Sequence, residues 1–240
     1  MRLTRTLSLL AGLAAIPVLA AAEPPPLQPF VAQYSVSWKG INAGNSELKL
    51  VRRGDGRYLY SSRSMARGMY RLIFRDEILQ STEAEVTADG VRPLRYRGDD
   101  GSDKTDRDVS LEFDWGAGVV SGVAEDERVR LALPAGVQDP MSIQLALMLD
   151  LQRKRDVTGY QMADKDRIKS YVYTYEGTQR INTALGAVDT VVYSSHREDS
   201  NRRITRMWHA PSLGFIPVKA ERIKDGKREV TMEIKSLQRS

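Results

Sequence analysis

The sequence predicts a mainly β protein, in which a curved antiparallel sheet or half-barrel of about twelve strands wraps one buried hydrophobic helix. Short runs of alternating apolar and polar residues recur along the chain, separated by Gly, Asp and Pro turn signals. One stretch, residues 138–152, has a helical pattern instead. The chain has no cysteine. Burial must therefore hold the sheet together without disulfides, and cysteine chemistry is excluded.

The helix is predicted over residues 138–152, QDPMSIQLALMLDLQ. Asp139 can accept hydrogen bonds from free amides of the first turn, and Pro140 suits the first helical position. At about 100° per residue, the apolar side chains cover most of the helix circumference, which predicts a buried helix. Each large side chain contributes roughly 1.5–3 kcal/mol on full burial, so this helix is predicted to be a major part of the core.

The strands are predicted from period-two alternation, as in Phe30 to Trp38, and from turn signals such as Asp89-Gly90 and Asp225-Gly226. Their close spacing is typical of hairpin connections in an antiparallel barrel or half-barrel. Residues 69–74 fit either a short helix or the start of a long strand.

The N-terminus predicts export. Residues 1–22 combine Arg2 and Arg5, an apolar run over 7–19 and three alanines, as in a cleaved signal peptide. The run is shorter than the ~20 residues of a membrane span, and no later stretch is apolar enough to be one. Residues 23–29 form a proline-rich leader, and 30–240 are predicted to be a single β-rich domain. The predicted location is the periplasm of a Gram-negative cell.

The charges argue against nucleic acid as a partner. The mature chain would carry 34 basic and 31 acidic residues, and their signs alternate along the chain. Such a pattern indicates solvated strand faces instead of a basic patch.

Neither a catalytic set nor a metal or cofactor site is predicted. The two histidines, His196 and His209, lie on different predicted strands, and the run from Ser194 to Asp199 lacks the strained turn of a hydrolase nucleophile. Residues 99–108 contain five aspartates, which is typical of a solvated hairpin loop. Calcium binding by this loop remains an alternative, although the spacing is not that of an EF-hand.

Several short motifs, taken in order, resemble a known family. They are Gly40-Ile41-Asn42-Ala43-Gly44, Gln138-Asp139-Pro140-Met141-Ser142, Leu185-Gly186, and Met207-Trp208-His209-Ala210 leading through Gly214 to Ile216-Pro217-Val218. Together they resemble the exported bacterial proteins grouped as domain of unknown function 3108. The resemblance implies an envelope location and a β-rich fold, and no activity. A looser architectural likeness runs to the lipoprotein carriers LolA and LolB.

The functional hypothesis is a non-enzymatic periplasmic protein that binds an apolar or amphipathic envelope ligand in the half-barrel. Such a ligand could be a lipid, an acyl chain or a lipoprotein segment, and methionine and aromatic side chains would form an adaptable wall around it. The alternative is a glycan- or protein-binding envelope module with a solid core, which uses surface aromatics and the region of Arg202 and Arg203. The candidate ligand-binding residues are Tyr34, Trp38, Met141, Leu145, Met148, Tyr173 and Trp208.

Overall fold

The computed structural model describes residues 27–54, 56–72, 77–102 and 105–239. The predicted signal peptide and most of the leader lie outside these residues. The strands are β1 Phe30–Trp38, β2 Ile41–Gly54, β3 Arg57–Ala66, β4 Ile78–Val86, β5 Val91–Asp99, β6 Val109–Asp114, β7 Val119–Ala124, β8 Glu127–Ala132, β9 Gly159–Asp164, β10 Arg167–Thr183, β11 Gly186–Arg197, β12 Ser200–Ala210, β13 Ile216–Lys224 and β14 Lys227–Arg239. The helix α1 is Ser142–Gln152.

All fourteen strands form one open antiparallel sheet, in the order β8-β7-β6-β5-β4-β3-β2-β1-β14-β13-β12-β11-β10-β9. The first and last strands of the chain pair at its centre, from Phe30 with Arg239 to Trp38 with Val230. From this pair, one meander runs outward to the edge strand β8 and the other to the edge strand β9. The mainly β, antiparallel fold class predicted from the sequence is confirmed.

The helix α1 is the connection between the two edges of the sheet, because it follows β8 and precedes β9. The edges also approach each other around it. Glu125 in the β7–β8 turn pairs with Lys165 in the β9–β10 turn. In the segment before α1, Gln138 forms a parallel bridge with Met162 of β9. The chain therefore crosses from one edge of the sheet to the other through α1.

The predicted burial of the helix is confirmed, since eight of its eleven residues are buried. The helix begins at Ser142, slightly later than predicted. Asp139 acts as the predicted cap: its Oδ1 accepts from the amides of Met141 at 2.7 Å and Ser142 at 2.8 Å. Pro140 lies between the cap and the helix, where it removes no helical hydrogen bond.

The core has two apolar clusters that meet at α1. In the larger cluster, Leu145, Met148 and Leu149 pack with inward side chains of β1–β8 and of β11–β14, including Tyr34 and Leu111. In the smaller one, the opposite side of the helix packs against β9–β12; its members are Ile143, Leu147, Leu151, Val157, Met162, Tyr173, Tyr193 and Met207. Both sides of α1 are therefore packed against core side chains, and the helix fills the interior of the half-barrel.

Two strands differ from the sequence prediction, and one segment takes the first of the two forms that its sequence fits, a short helix. The strand β9 was not predicted, because Gly159 and Asp164 leave only four residues between them, without alternation. The strand β10 continues to Thr183, seven residues beyond its predicted end. It does so past a bulge at Gly177, which has a φ of +103° that suits glycine. Residues 68–72 form a 3₁₀ turn, and 73–76 lie outside the described residues.

Helices that could span a bilayer are absent from the described residues.

Candidate functional site

Six of the seven residues predicted to bind a ligand are buried. Five of them belong to the larger apolar cluster: Tyr34, Met141, Leu145, Met148 and Trp208. The sixth, Tyr173, belongs to the smaller cluster. The polar atoms of two of these side chains are paired, since the Tyr34 hydroxyl donates to the Pro217 carbonyl oxygen and Trp208 Nε1 donates to Gln179 Oε1. Leu145 and Met148 belong to α1 and Met141 directly precedes it, and the two clusters bring them together with the strand residues Tyr34, Trp208 and Tyr173.

The seventh residue, Trp38, lies apart from the others at the end of β1, where 42% of its surface is exposed. Its ring contacts the Tyr70 ring edge to face, with centroids 5.8 Å apart, and the Lys39 ammonium lies 4.6 Å from its centroid. Trp38 is thus part of the rim of the sheet and not of the helix-packed interior.

An open cavity of about 540 Å³ lies beside α1, and we call it the helix-side cavity. It is bounded by Ala146 and Asp150 of α1, by β9 and β10, and by the β4–β5 turn. The polar and aromatic residues that line it are Asp89, Gln138, Asp150, Thr158, Tyr160, Gln161, Ser170, Tyr171 and Glu198. Three of these residues are carboxylates, and no lysine or arginine is among the lining residues of the described chain. The cavity therefore suits a ligand rich in hydrogen-bond donors.

Asp150 of α1 lines the helix-side cavity and holds two neighbouring side chains in place. Its Oδ2 accepts from the Tyr160 hydroxyl at 2.8 Å, and its Oδ1 accepts from Arg155 Nη1 at 3.1 Å. Arg155 also donates to the backbone oxygens of Ala88 and Asp89 in the β4–β5 turn. Burial, reinforced by the Asp150 carboxylate, raises the pKa of Tyr160. The tyrosine therefore stays protonated and serves as a donor to Asp150.

The base of the same cavity contains an unusual buried amide, that of Gln138. Its Nε2 donates to the carbonyl oxygens of Val91 at 2.9 Å and Gly136 at 3.0 Å, which fixes the orientation of the amide. Its Oε1 is buried and has no partner in the described part of the chain. An unpaired buried acceptor costs roughly 1–3 kcal/mol. Such an unsatisfied group beside a cavity is a departure from good packing that often marks a functional site.

The buried polar network at the start of α1 has a structural role. Asp139 Oδ2 accepts from the Thr82 hydroxyl at 2.6 Å, so each oxygen of this fully buried carboxylate is hydrogen-bonded. Burial nevertheless raises the pKa of Asp139 to about 6, although the hydrogen bonds act in the opposite direction. This network ties β4 to the helix N-terminus.

The acidic loop over residues 99–108 brings three carboxylates together. Ligand oxygens of Asp99, Asp100 and Asp108 lie within 4.8 Å of one another, which is close enough to hold a divalent cation. Several of these carboxylate oxygens already accept hydrogen bonds. Asp99 accepts from the Gly101 amide, and Asp100 accepts from the Ser102 amide and from Arg107. These turn hydrogen bonds fit the predicted hairpin loop.

The two histidines make separate local contacts. His209 on β12 is fully buried, and its Nδ1 donates to the Phe215 carbonyl oxygen at 2.9 Å, while its Nε2 has no partner within the described residues. Burial lowers the pKa of His209 to about 4. His196 on β11 donates from Nδ1 to the Arg197 carbonyl oxygen.

The sequence contains one signal for the helix-side cavity, the polar residues within the apolar helix. In the structure each has a specific partner: Ser142 pairs with Asp139, Gln144 with the Tyr60 hydroxyl, and Asp150 with the Tyr160 hydroxyl. Polar residues in a buried helix need hydrogen-bond partners. The position of Asp150 in the sequence therefore indicates a polar contact on this side of the helix, where the cavity lies.

Comparisons with known proteins support the fold. A crystal structure of a β-barrel-like protein of the domain of unknown function DUF1849 from Brucella abortus matches with a TM-score of 0.60 and 12% sequence identity, covering 89% of this chain and 98% of that one. A structure of the MucA/MucB complex of Pseudomonas aeruginosa matches with a TM-score of 0.38 and 13% identity, covering 90% of this chain and 53% of the other. This second likeness is too weak to support an argument.

Among curated proteins, none matches this sequence. A family model does match. It covers residues 33–235, which include α1 and the strands β2 to β13 in full and most of β1 and β14. The resemblance seen in the motifs of the sequence is confirmed, and the chain belongs to the family described as Protein of unknown function (DUF3108).

Proposed function

We propose that this protein is a non-enzymatic binding module of the bacterial cell envelope, and that its ligand is a hydroxyl-rich molecule such as a glycan, held in the helix-side cavity. The observation that carries this proposal is the lining of that cavity, which contains two tyrosines and three carboxylates. Two of these carboxylates pair with arginines outside the lining, Asp89 with Arg92 and Asp150 with Arg155, and Glu198 is the third. Carboxylates accept hydrogen bonds from hydroxyl groups, and tyrosine rings offer flat surfaces against which a sugar can stack.

The envelope location rests on the sequence of residues 1–22, which has the three regions of a secretory signal peptide. Peptidoglycan is the abundant glycan of that compartment, so its soluble fragments are the first probe to use.

The test is isothermal titration with disaccharide-peptides released from peptidoglycan by a muramidase. Wild-type protein should bind, and Tyr171→Ala should weaken binding about tenfold or more, equal to ~1.4 kcal/mol, because an aromatic wall is lost. Tyr175→Ala is the matched control. It removes the same ring four residues along β10, where the side chain is 53% exposed and outside the cavity lining. Equal affinities for the wild type and Tyr171→Ala, or no heat with any fragment, would refute the proposal.

A second candidate function is binding of an apolar or amphipathic ligand, such as a lipid, an acyl chain or a lipoprotein segment, at the seven residues predicted from the sequence. The observation that favours it is the convergence of five of them in one cluster around α1. Because Leu145 and Met148 belong to α1 and are buried in this cluster, the ligand would have to displace α1. Mass spectrometry of co-purifying molecules tests this candidate.

A further inference from the structure

A second open cavity, of about 480 Å³, is lined mainly by basic side chains, and we call it the basic cavity. Four neighbouring strands, β10 to β13, contribute these cations. They are Lys169, Arg197, Arg202, Arg203, Arg222 and Lys224. Asp164 is the only carboxylate among the lining residues of the described chain.

The register of the sheet places the centre of this basic cavity on the concave side. Ser195 pairs with both Tyr173 and Thr205, and Thr205 pairs with Arg222, so these side chains share one face. Tyr173 packs against α1 and identifies that face as the inner one. Because side chains two residues apart on a strand point the same way, Arg203 lies on this face beside Thr205.

Acidic partners neutralise only part of the charge. Three cations of the cavity have close carboxylates: Lys169 pairs with Asp164 at 2.5 Å, Arg197 with Asp199 at 2.6 Å, and Arg202 with Asp225 at 3.0 Å. A fourth, Lys224, has Glu229 at 3.9 Å.

Two guanidinium groups form no direct ion pair among the described residues, although the Asp225 carboxylate that pairs with Arg202 also interacts electrostatically with Arg203. Arg203 and Arg222 are exposed and form no ion pair within the described chain. Both lie among like charges. Arg203 is directly opposite Lys224 across β12 and β13, and Arg222 is two residues from that lysine. Like charges directly opposite each other destabilise a sheet. The arrangement thus opposes folding, which is expected where a site is built for a ligand of the opposite charge.

We propose that the basic cavity binds a phosphate group, with Arg203 and Arg222 as its principal ligands. Guanidinium groups bind phosphate oxygens in a bidentate manner, and the phosphate would relieve the repulsion between Arg203 and Lys224. The hydroxyl groups of Thr205 and Ser200 border the same cavity and can donate to further phosphate oxygens. Tyr171 lines both this cavity and the proposed glycan site, but the glycan site contains none of the cations.

The experiment is isothermal titration of the full chain with pyrophosphate in 0.15 M sodium chloride. The Arg203→Ala/Arg222→Ala double variant should bind at least about tenfold more weakly than the wild type, because charge-assisted hydrogen bonds are lost. The matched control is Arg128→Ala/Arg130→Ala, which removes two exposed arginines from the edge strand β8 and should bind like the wild type. Since the cavity arginines repel their neighbours, the double variant should melt no lower than the wild type in buffer without phosphate.

A parallel co-sedimentation with vesicles of phosphatidylcholine and phosphatidic acid identifies the source of the phosphate. Binding of pyrophosphate alone indicates a soluble phosphate compound, and binding of the vesicles indicates a lipid head group; each supports the site if it is lost in Arg203→Ala/Arg222→Ala. The proposal is overturned if neither probe binds, if the double variant binds as well as the wild type, or if Arg128→Ala/Arg130→Ala loses binding equally. The Arg203→Ala/Arg222→Ala variant should still bind peptidoglycan fragments. A loss of phosphate binding can therefore be distinguished from a failure of the proposed glycan site.

Discussion

Asp139 and His209 are fully buried ionisable residues whose pKa values shift in opposite directions. Burial raises the pKa of Asp139 to about 6 and lowers that of His209 to about 4. Between about pH 4 and 6 the folded protein binds more protons than the unfolded chain at Asp139, so that residue makes stability fall as pH rises. At His209 the unfolded chain binds more protons between about pH 4 and 6.5, so that residue makes stability rise with pH.

Each shift of about two pKa units corresponds to roughly 3 kcal/mol, so the two effects should nearly cancel in the wild type. Relative to the wild type, Asp139→Asn should therefore gain about 3 kcal/mol of unfolding free energy as pH rises from 4 to 7. His209→Gln should lose a similar amount over the same interval. Urea unfolding at each pH measures both changes, and profiles that shift in the same direction for the two variants would contradict the assignment.

At the scale of single residues, the sequence predicted what depends on near neighbours. Asp139 was identified as a helix cap because the amides that it binds are two and three residues away. Its other partner, Thr82, is 57 residues distant, and only the fold reveals that contact. The sequence indicated the region of Arg202 and Arg203 as a binding surface, but only the sheet register reveals that Arg222 lies beside Arg203 in one cavity.

At the scale of elements, α1 is the central packing unit, with Leu145 and Leu147 fully buried in its two clusters. Leu145→Ala should lower the unfolding free energy by about 2–5 kcal/mol, because it removes buried methyl groups and leaves a cavity. Leu185→Ala, in the exposed β10–β11 turn, provides the matched control and should cost less than about 1 kcal/mol. Denaturant unfolding compares the two variants, and a similar small loss in both would show that α1 is not part of the core.

The elements themselves were predictable where their patterns were long. The helix and the strands with sustained alternation follow from local periodicity, as β1 illustrates with alternating burial over its first five residues. The short strand β9 was missed because its pairing with β10, from Arg167 with Asp164 to Val172 with Gly159, determines it more than its own sequence does.

At the scale of the whole molecule, the order of the strands explains why the interior is occupied. The central pairing of β1 with β14 leaves β8 and β9 as the two edges, and the chain must pass between them through α1. The sequence predicted a helix wrapped by the sheet, but it could not indicate whether space remained between them. That depends on the packing of side chains from distant strands, such as Tyr34 and Trp208, against the helix.

The central claim is that α1 occupies the apolar interior, so that ligands bind in the open cavities beside it. The most direct test is native mass spectrometry of the full chain after gentle purification from a Gram-negative host, with mass analysis of an organic extract. We predict the mass of the protein without a lipid and an extract without stoichiometric lipid. A lipid or acyl chain bound at one copy per protein would contradict this account and would favour displacement of α1 by an apolar ligand.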